Sequence, residues 1–131
     1  MSDRFEKGIE VRSEVLGADY VQRSLKRTDP FMADFQHFVT EYVWGSIWAR
    51  EGLSRKIRSM LNIAILTGLN RQNELKLHIQ AALTNGVTPD EIKEILLHCS
   101  IYAGVPAAFD SFLIARDVLA SQDTPEAGAG S

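Results

Sequence analysis

The segment RQNELKLHIQ places Arg71, Glu74 and His78 at i, i+3 and i+7, so in a helix the three share one stripe beside Leu75, Ile79 and Ala82. A glutamate one turn ahead of a histidine can hold the imidazole in one tautomer and raise its basicity, as general acid or base chemistry near neutral pH requires. The plain alternative is a solvent-side pair, worth only ~0.2–0.5 kcal/mol in an exposed helix. His98 repeats the arrangement, with Glu94 four residues earlier. Two such pairs raise the question of a metal, because carboxylates and imidazoles at helical spacing ligate zinc or paired irons. The chain has neither HExxH nor Glu-x-x-His, so no metal site is expected.

The remaining reactive side chains read as structural. Cys99 falls on the stripe of Ile92, Ile95, Leu96 and Tyr102, where a thiol acts as a small apolar filler. His98 is its neighbour in sequence but projects about 100° away around the helix, too far to activate it. His37 stands between Gln36 and Phe38 with no acid at i−4, and Trp44 and Trp48 in EYVWGSIW read as core or interface anchors.

The elements that must carry these residues are helices, with no alternating run long enough for a sheet. The clearest start is TPDE, with Thr88 as N-cap, Pro89 at the first helical position and Glu91 closing a capping box. That helix ends at Gly104 and Pro106, and a last one over about 106–120 carries Phe109, Phe112, Leu113 and Leu119. Upstream, Asp29 and Pro30 open a helix expected to bury Phe31, Phe35, Phe38 and Tyr42 or Val43. Ser54 opens another packing Ile57, Met60, Leu61, Ala64 and Ile65, and a turn at 68–70 leads to the His78 helix, closed by Asn85-Gly86. A further helix covers 3–26 with a bend at Gly17.

The expectation is an all-α protein of about six to seven helices, with residues 1–120 as a single domain and 121–131 as a flexible tail of small polar residues. A length of 131 residues suffices for one core without metals or disulfides, and the single cysteine excludes an internal disulfide. A formal net charge of −3 lacks the basic excess that nucleic-acid binding needs. The apolar run LNIAILTGL is interrupted by Asn62 and falls well short of the roughly 20 residues that span a bilayer. With a charged N-terminus and no secretory core, a cytoplasmic protein without membrane or nucleic-acid partners is expected.

The run NELKLHIQAALTNGVTPDEIKEILLHCSIYAGVPAAFDSFLIARDVL, together with YVWGSIWAREGLSRKIRSMLNIAILTGLNR, resembles the 4-carboxymuconolactone decarboxylases over roughly residues 40–120. The resemblance implies the alkylhydroperoxidase D-like helical fold, a homo-oligomer (trimer or hexamer), and a place in protocatechuate catabolism through the 3-oxoadipate pathway. Thiol peroxidases of the same superfamily carry Cys-x-x-Cys-x-x-x-His, and here Arg71 and Glu74 stand where the cysteines would be while His78 is kept. Without a thiolate and a resolving thiol, peroxidase chemistry is removed. The alternatives kept are a peroxidase or redox-linked protein of the superfamily, against which the cysteine count speaks, and a non-catalytic oligomeric binding paralogue.

The implied substrate is a lactone dicarboxylate whose departing carboxylate sits on a ring carbon joined through a ring double bond to the lactone carbonyl. The carbonyl is then the electron sink, and no cofactor is needed. The protein has to stabilise charge on the lactone oxygen and see a proton delivered to the ring. On this resemblance His78 is the proton donor or the donor to the lactone oxygen, oriented by Glu74, with His98 as second candidate. Arg58 is expected to anchor a substrate carboxylate through its planar fork, with Arg55 and Arg71 as alternatives, and Tyr102, Trp44 and Trp48 to wall the pocket.

Overall fold

In the computed structural model, which describes residues 2–122, seven α-helices and one π-helical segment follow one another, and no strand occurs among the described residues. They gather into two compact units, one ending at Arg55 and the other beginning at Lys56. No helix among the described residues is long and apolar enough to cross a membrane.

The first unit holds α1 (Asp3–Leu16), α2 (Ala18–Lys26), α3 (Ala33–Phe38) and the π-helical segment Val39–Ile47. Ser2 caps α1 by accepting from the Phe5 N–H at 3.1 Å. The expected bend at Gly17 is a full break, because a φ of 99° closes α1 and lets α2 start in a new direction. The π segment is closed by i→i−5 bonds such as Trp48 N–H to the Val43 carbonyl at 2.9 Å. Its wide turn suits the four-residue spacing of Thr40, Trp44 and Trp48, which are buried.

The expected aromatic stripe is thereby corrected. Phe31, Phe35 and Phe38 are 91%, 59% and 54% exposed, and Tyr42 and Val43 also face solvent. Two glycines set the close crossing of α1 on the π segment: a Cβ at Gly8 would fall on the Thr40 carbonyl, and one at Gly45 on the Arg4 carbonyl. Beside that crossing Arg12 is buried, its guanidinium donating to Gln36, Thr40 and Ser24. Burial holds its pKa below the ordinary arginine value, with Tyr20 opposing.

The second unit contains α4 (Arg55–Gly68) from its second residue onward, α5 (Gln72–Thr84), α6 (Pro89–Tyr102) and α7 (Val105–Gln122). Its core gathers Ile63, Leu75, Ile79, Ile92, Leu96, Ala115 and Val118. The Thr88 capping box forms as read, with Glu91 N–H on Thr88 Oγ1 at 3.1 Å and Thr88 N–H on Glu91 Oε1 at 2.9 Å. Gly86, at φ 95°, ends α5 as expected, and Gly104 at φ 107° separates α6 from α7.

Three faces differ from the sequence reading. On α4 the buried positions are Ser59, Ile63 and Thr67, while Ile57, Leu61 and Ile65 are exposed. The small polar residues win because each finds a partner: Asn85 donates to Ser59 Oγ at 2.9 Å, and Ser111 donates to Thr67 Oγ1 at 2.9 Å. On α7 the buried positions are Ala108, Ser111, Ala115 and Val118, and Phe109 is exposed. Tyr102 leaves the stripe of Ile92, Leu96 and Cys99 and is 81% exposed. Helix α7 also runs through Gln122, past the expected start of the tail; 123–131 lie outside the described residues.

Candidate active site

His78 projects from the middle of α5 and is half-buried, with its Nδ1 3.3 Å from the Nδ2 of Asn62 on α4. Burial pulls the imidazole pKa below its ordinary value of 6.5, and the charge of Glu74 one turn earlier opposes that shift without reversing it. The ring is therefore neutral at pH 7, with one nitrogen to donate and one to accept. The i, i+4 relation of Glu74 and His78 forms as the sequence indicates, with Glu74 exposed in the first turn of α5.

Arg71 does not join this stripe. It is the exposed N-cap of α5, with φ −101° and ψ 79°, so helical periodicity does not extend back to it. Arg58 lies on α4 one turn before Asn62 and hence on the same side of that helix. Its Nε is buried without a hydrogen-bond partner, and none of the ion pairs among the described residues engages it. Arg55, by contrast, is paired with Glu14 at 3.0 Å.

His98 stands in a different setting. It is exposed on α6, stacks on Tyr102 with centroids 4.8 Å apart, and lines a groove of about 420 Å³ formed by α4 and α6. Met60, Ala64 and Ile95 line this groove together with Asp90, Glu91 and Glu94, and its surface is almost wholly apolar. Glu91 stays ionised: its pKa is held below the usual carboxylate range by the Thr88 backbone N–H and by Lys56, 3.1 Å away. Tyr102, expected as a pocket wall, is exposed on α6 and stacks on His98.

Trp44 and Trp48 are buried in the first unit against each other, with centroids 5.0 Å apart and planes at 30°. His37 stacks on Phe5 at 4.6 Å. Cys99 is buried, and burial raises its thiol pKa, so the thiolate is disfavoured as the packing reading requires. Among the described residues no three of His, Cys, Asp and Glu gather to hold a metal ion.

Asn62 was passed over by the sequence reading except as an interruption of an apolar run. That interruption is the available signal, since a carboxamide inside an apolar helix needs a partner.

The structure thus brings together a half-buried imidazole, a carboxylate one turn before it and an amide on one ring nitrogen, and on the Asn62 side of α4 stands a guanidinium with an unpartnered nitrogen. Comparison with known proteins identifies two decarboxylases as relatives. The chain is 48% identical over 115 residues to the 4-carboxymuconolactone decarboxylase of Acinetobacter baylyi, covering 88% of this chain and 86% of that protein. It is 39% identical over 115 residues to the nitrosuccinic acid decarboxylase of Metarhizium robertsii, covering 88% and 80%. The pattern of one family spans residues 33–117, from α3 to the penultimate turn of α7, and takes in Arg58, Asn62, Glu74, His78 and His98. With most of its length inside that match, the chain belongs to the carboxymuconolactone decarboxylase family.

Proposed function

We propose that the protein decarboxylates 4-carboxymuconolactone to 3-oxoadipate enol-lactone in protocatechuate catabolism, without a cofactor. The observation that carries this reading is the neutral His78 set between Glu74 and Asn62, inside the span that matches the family. The C–C bond to the ring carboxylate breaks, carbon dioxide leaves, and the electron pair runs through the ring double bond to the lactone oxygen. Arg58 takes a second substrate carboxylate, His78 faces the charge that builds, and the ring is then protonated.

His78 fits this work better than His98 because it is half-buried and held by Asn62 from a second helix, whereas His98 is exposed on α6 and stacks on Tyr102 of its own helix. Nitrosuccinate is the second substrate reading: a nitro group beside the departing carboxylate accepts electrons as the lactone carbonyl does, and a relative carries that name.

The alkylhydroperoxidase D-like arrangement of residues 1–120 as one domain, a cytoplasmic location and a homo-oligomer belong to the same proposal. Oligomerisation is supported by the exposed large apolar side chains Phe31, Phe35, Ile101, Tyr102 and Phe109, the last three on α6 and α7. A light-scattering mass near that of the 14.6 kDa chain would contradict it.

The test is to follow the ultraviolet absorbance of fresh carboxymuconolactone with purified, EDTA-treated protein, and separately to measure carbon dioxide from nitrosuccinate. Turnover of the lactone supports the main reading. Turnover of nitrosuccinate alone shifts the substrate, and turnover of neither removes the proposal.

A further inference from the structure

Asn62 offers His78 an amide nitrogen, and an amide nitrogen has only hydrogens to give. At 3.3 Å from Nδ1 it therefore requires a lone pair there, which leaves the ring proton on Nε2. We propose that Asn62 is a positioning residue that locks His78 in the Nε2–H tautomer, so that His78 works as a neutral hydrogen-bond donor to the oxygen that gains charge, keeping its proton throughout. The inference rests on the decarboxylase reading for its substrate, but the tautomer is a property of the protein alone.

The chemistry favours this division of labour. A neutral imidazole is a very weak acid, so it does not give up its Nε2 proton to a carbon; it can still stabilise an oxyanion by hydrogen bonding, and needs no reorganisation to do so. When carbon dioxide leaves, the electron pair settles on the lactone oxygen facing Nε2–H, and the ring carbon afterwards takes its proton from water. Glu74 supports the arrangement by its field but reaches the ring from the same helix, one turn away, whereas Asn62 meets it from α4. The contact thus also fixes where α5 holds the ring relative to Arg58, one turn from Asn62.

The experiment combines nitrogen NMR with kinetics. In the intact protein labelled with ¹⁵N-histidine, the His78 signals are those lost in His78→Gln, and they should show an unprotonated Nδ1 and a protonated Nε2 near pH 7. Asn62→Asp places a carboxylate against Nδ1 and should put a proton on that nitrogen, giving either the Nδ1–H tautomer, with kcat lowered by about 10²-fold, or the imidazolium, which keeps Nε2–H and shows as protonation of both nitrogens. Asn62→Leu removes the donor and should give mixed tautomers with a loss of about tenfold. A wild-type His78 protonated on Nδ1, or an Asn62→Asp variant whose Nδ1 stays unprotonated, overturns the proposal. Should Asn62→Asp fail to fold, the wild-type spectrum and Asn62→Leu decide. Absence of turnover by the wild type removes the decarboxylase reading while the spectrum still reports the tautomer.

Discussion

The imidazole of His98 stacks on the ring of Tyr102 one turn further along α6, with 4.8 Å between centroids and 29° between planes. Both residues are exposed, so this ring pair is wet and sits beside carboxylates, whereas His78 is half-buried against an amide. The difference predicts unequal consequences of substitution. His78→Gln should lower kcat by about 10²–10⁴ with helix content unchanged by circular dichroism. Glu74→Gln should cost less, since only its field is lost, and His98→Ala should lose less than about tenfold. Steady-state kinetics on the three variants checks the order; a large loss confined to His98→Ala would move the site to the α4–α6 groove.

The lowered pKa of His78 carries a stability consequence of definite sign. Burial makes the folded protein bind the proton less readily than the unfolded chain, whose histidine titrates near 6.5. As pH falls through 6.5 the unfolded state takes up the proton first. The contribution is thus fully present above about pH 6.5 and is lost progressively as pH falls toward the folded-state pKa. Urea unfolding from pH 7.5 to 5 should show wild type losing more stability than His78→Gln across that window. Parallel losses in the two would place the acid sensitivity elsewhere.

Those two histidines also show how far the sequence carried. The Glu74–His78 stripe and the Thr88 capping box depend on neighbours within one helix, so spacing alone foretold them. Arg71 failed because a helix end was needed: one residue short of the first turn of α5, it escapes the periodicity that seemed to include it. The buried face of α4 failed for a different reason. Ile57, Leu61 and Ile65 look like a core stripe, yet Ser59 and Thr67 are the ones enclosed, because their hydroxyls meet Asn85 and Ser111 at positions 26 and 44 residues away. Apolar patterning cannot express a long-range polar pairing, and Asn62 was overlooked on the same account.

The Thr67–Ser111 pair gives a direct test of that pairing. Both residues are buried, and Ser111 Oγ donates to Thr67 Oγ1 at 2.9 Å, linking α4 to α7. Ser111→Ala leaves a buried hydroxyl on Thr67 without its donor and should cost about 1–3 kcal/mol. Thr67→Val should cost a similar amount, and the double variant less than the sum, because neither hydroxyl is then left alone. Urea denaturation of the two single variants and the double variant provides the cycle; additive losses would mean that the hydroxyls are satisfied independently of each other.

Gly8 and Gly68 give opposite predictions for the same substitution. At Gly8, in the middle of α1, an added Cβ would land on the Thr40 carbonyl, a backbone atom held inside the π segment. Neither side can yield without separating α1 from that segment, so Gly8→Ala should destabilise by at least about 1–3 kcal/mol despite the better helix propensity of alanine. At Gly68, the last residue of α4, the new methyl would meet only the Ala103 Cβ at 3.9 Å, an ordinary van der Waals distance. Gly68→Ala should therefore be neutral or stabilising by up to about 1 kcal/mol through the reduced entropy of the unfolded chain. Thermal melts of the two variants beside wild type settle the matter. A Gly8→Ala protein as stable as wild type would show that α1 and the π segment do not pack at the closeness their glycines allow.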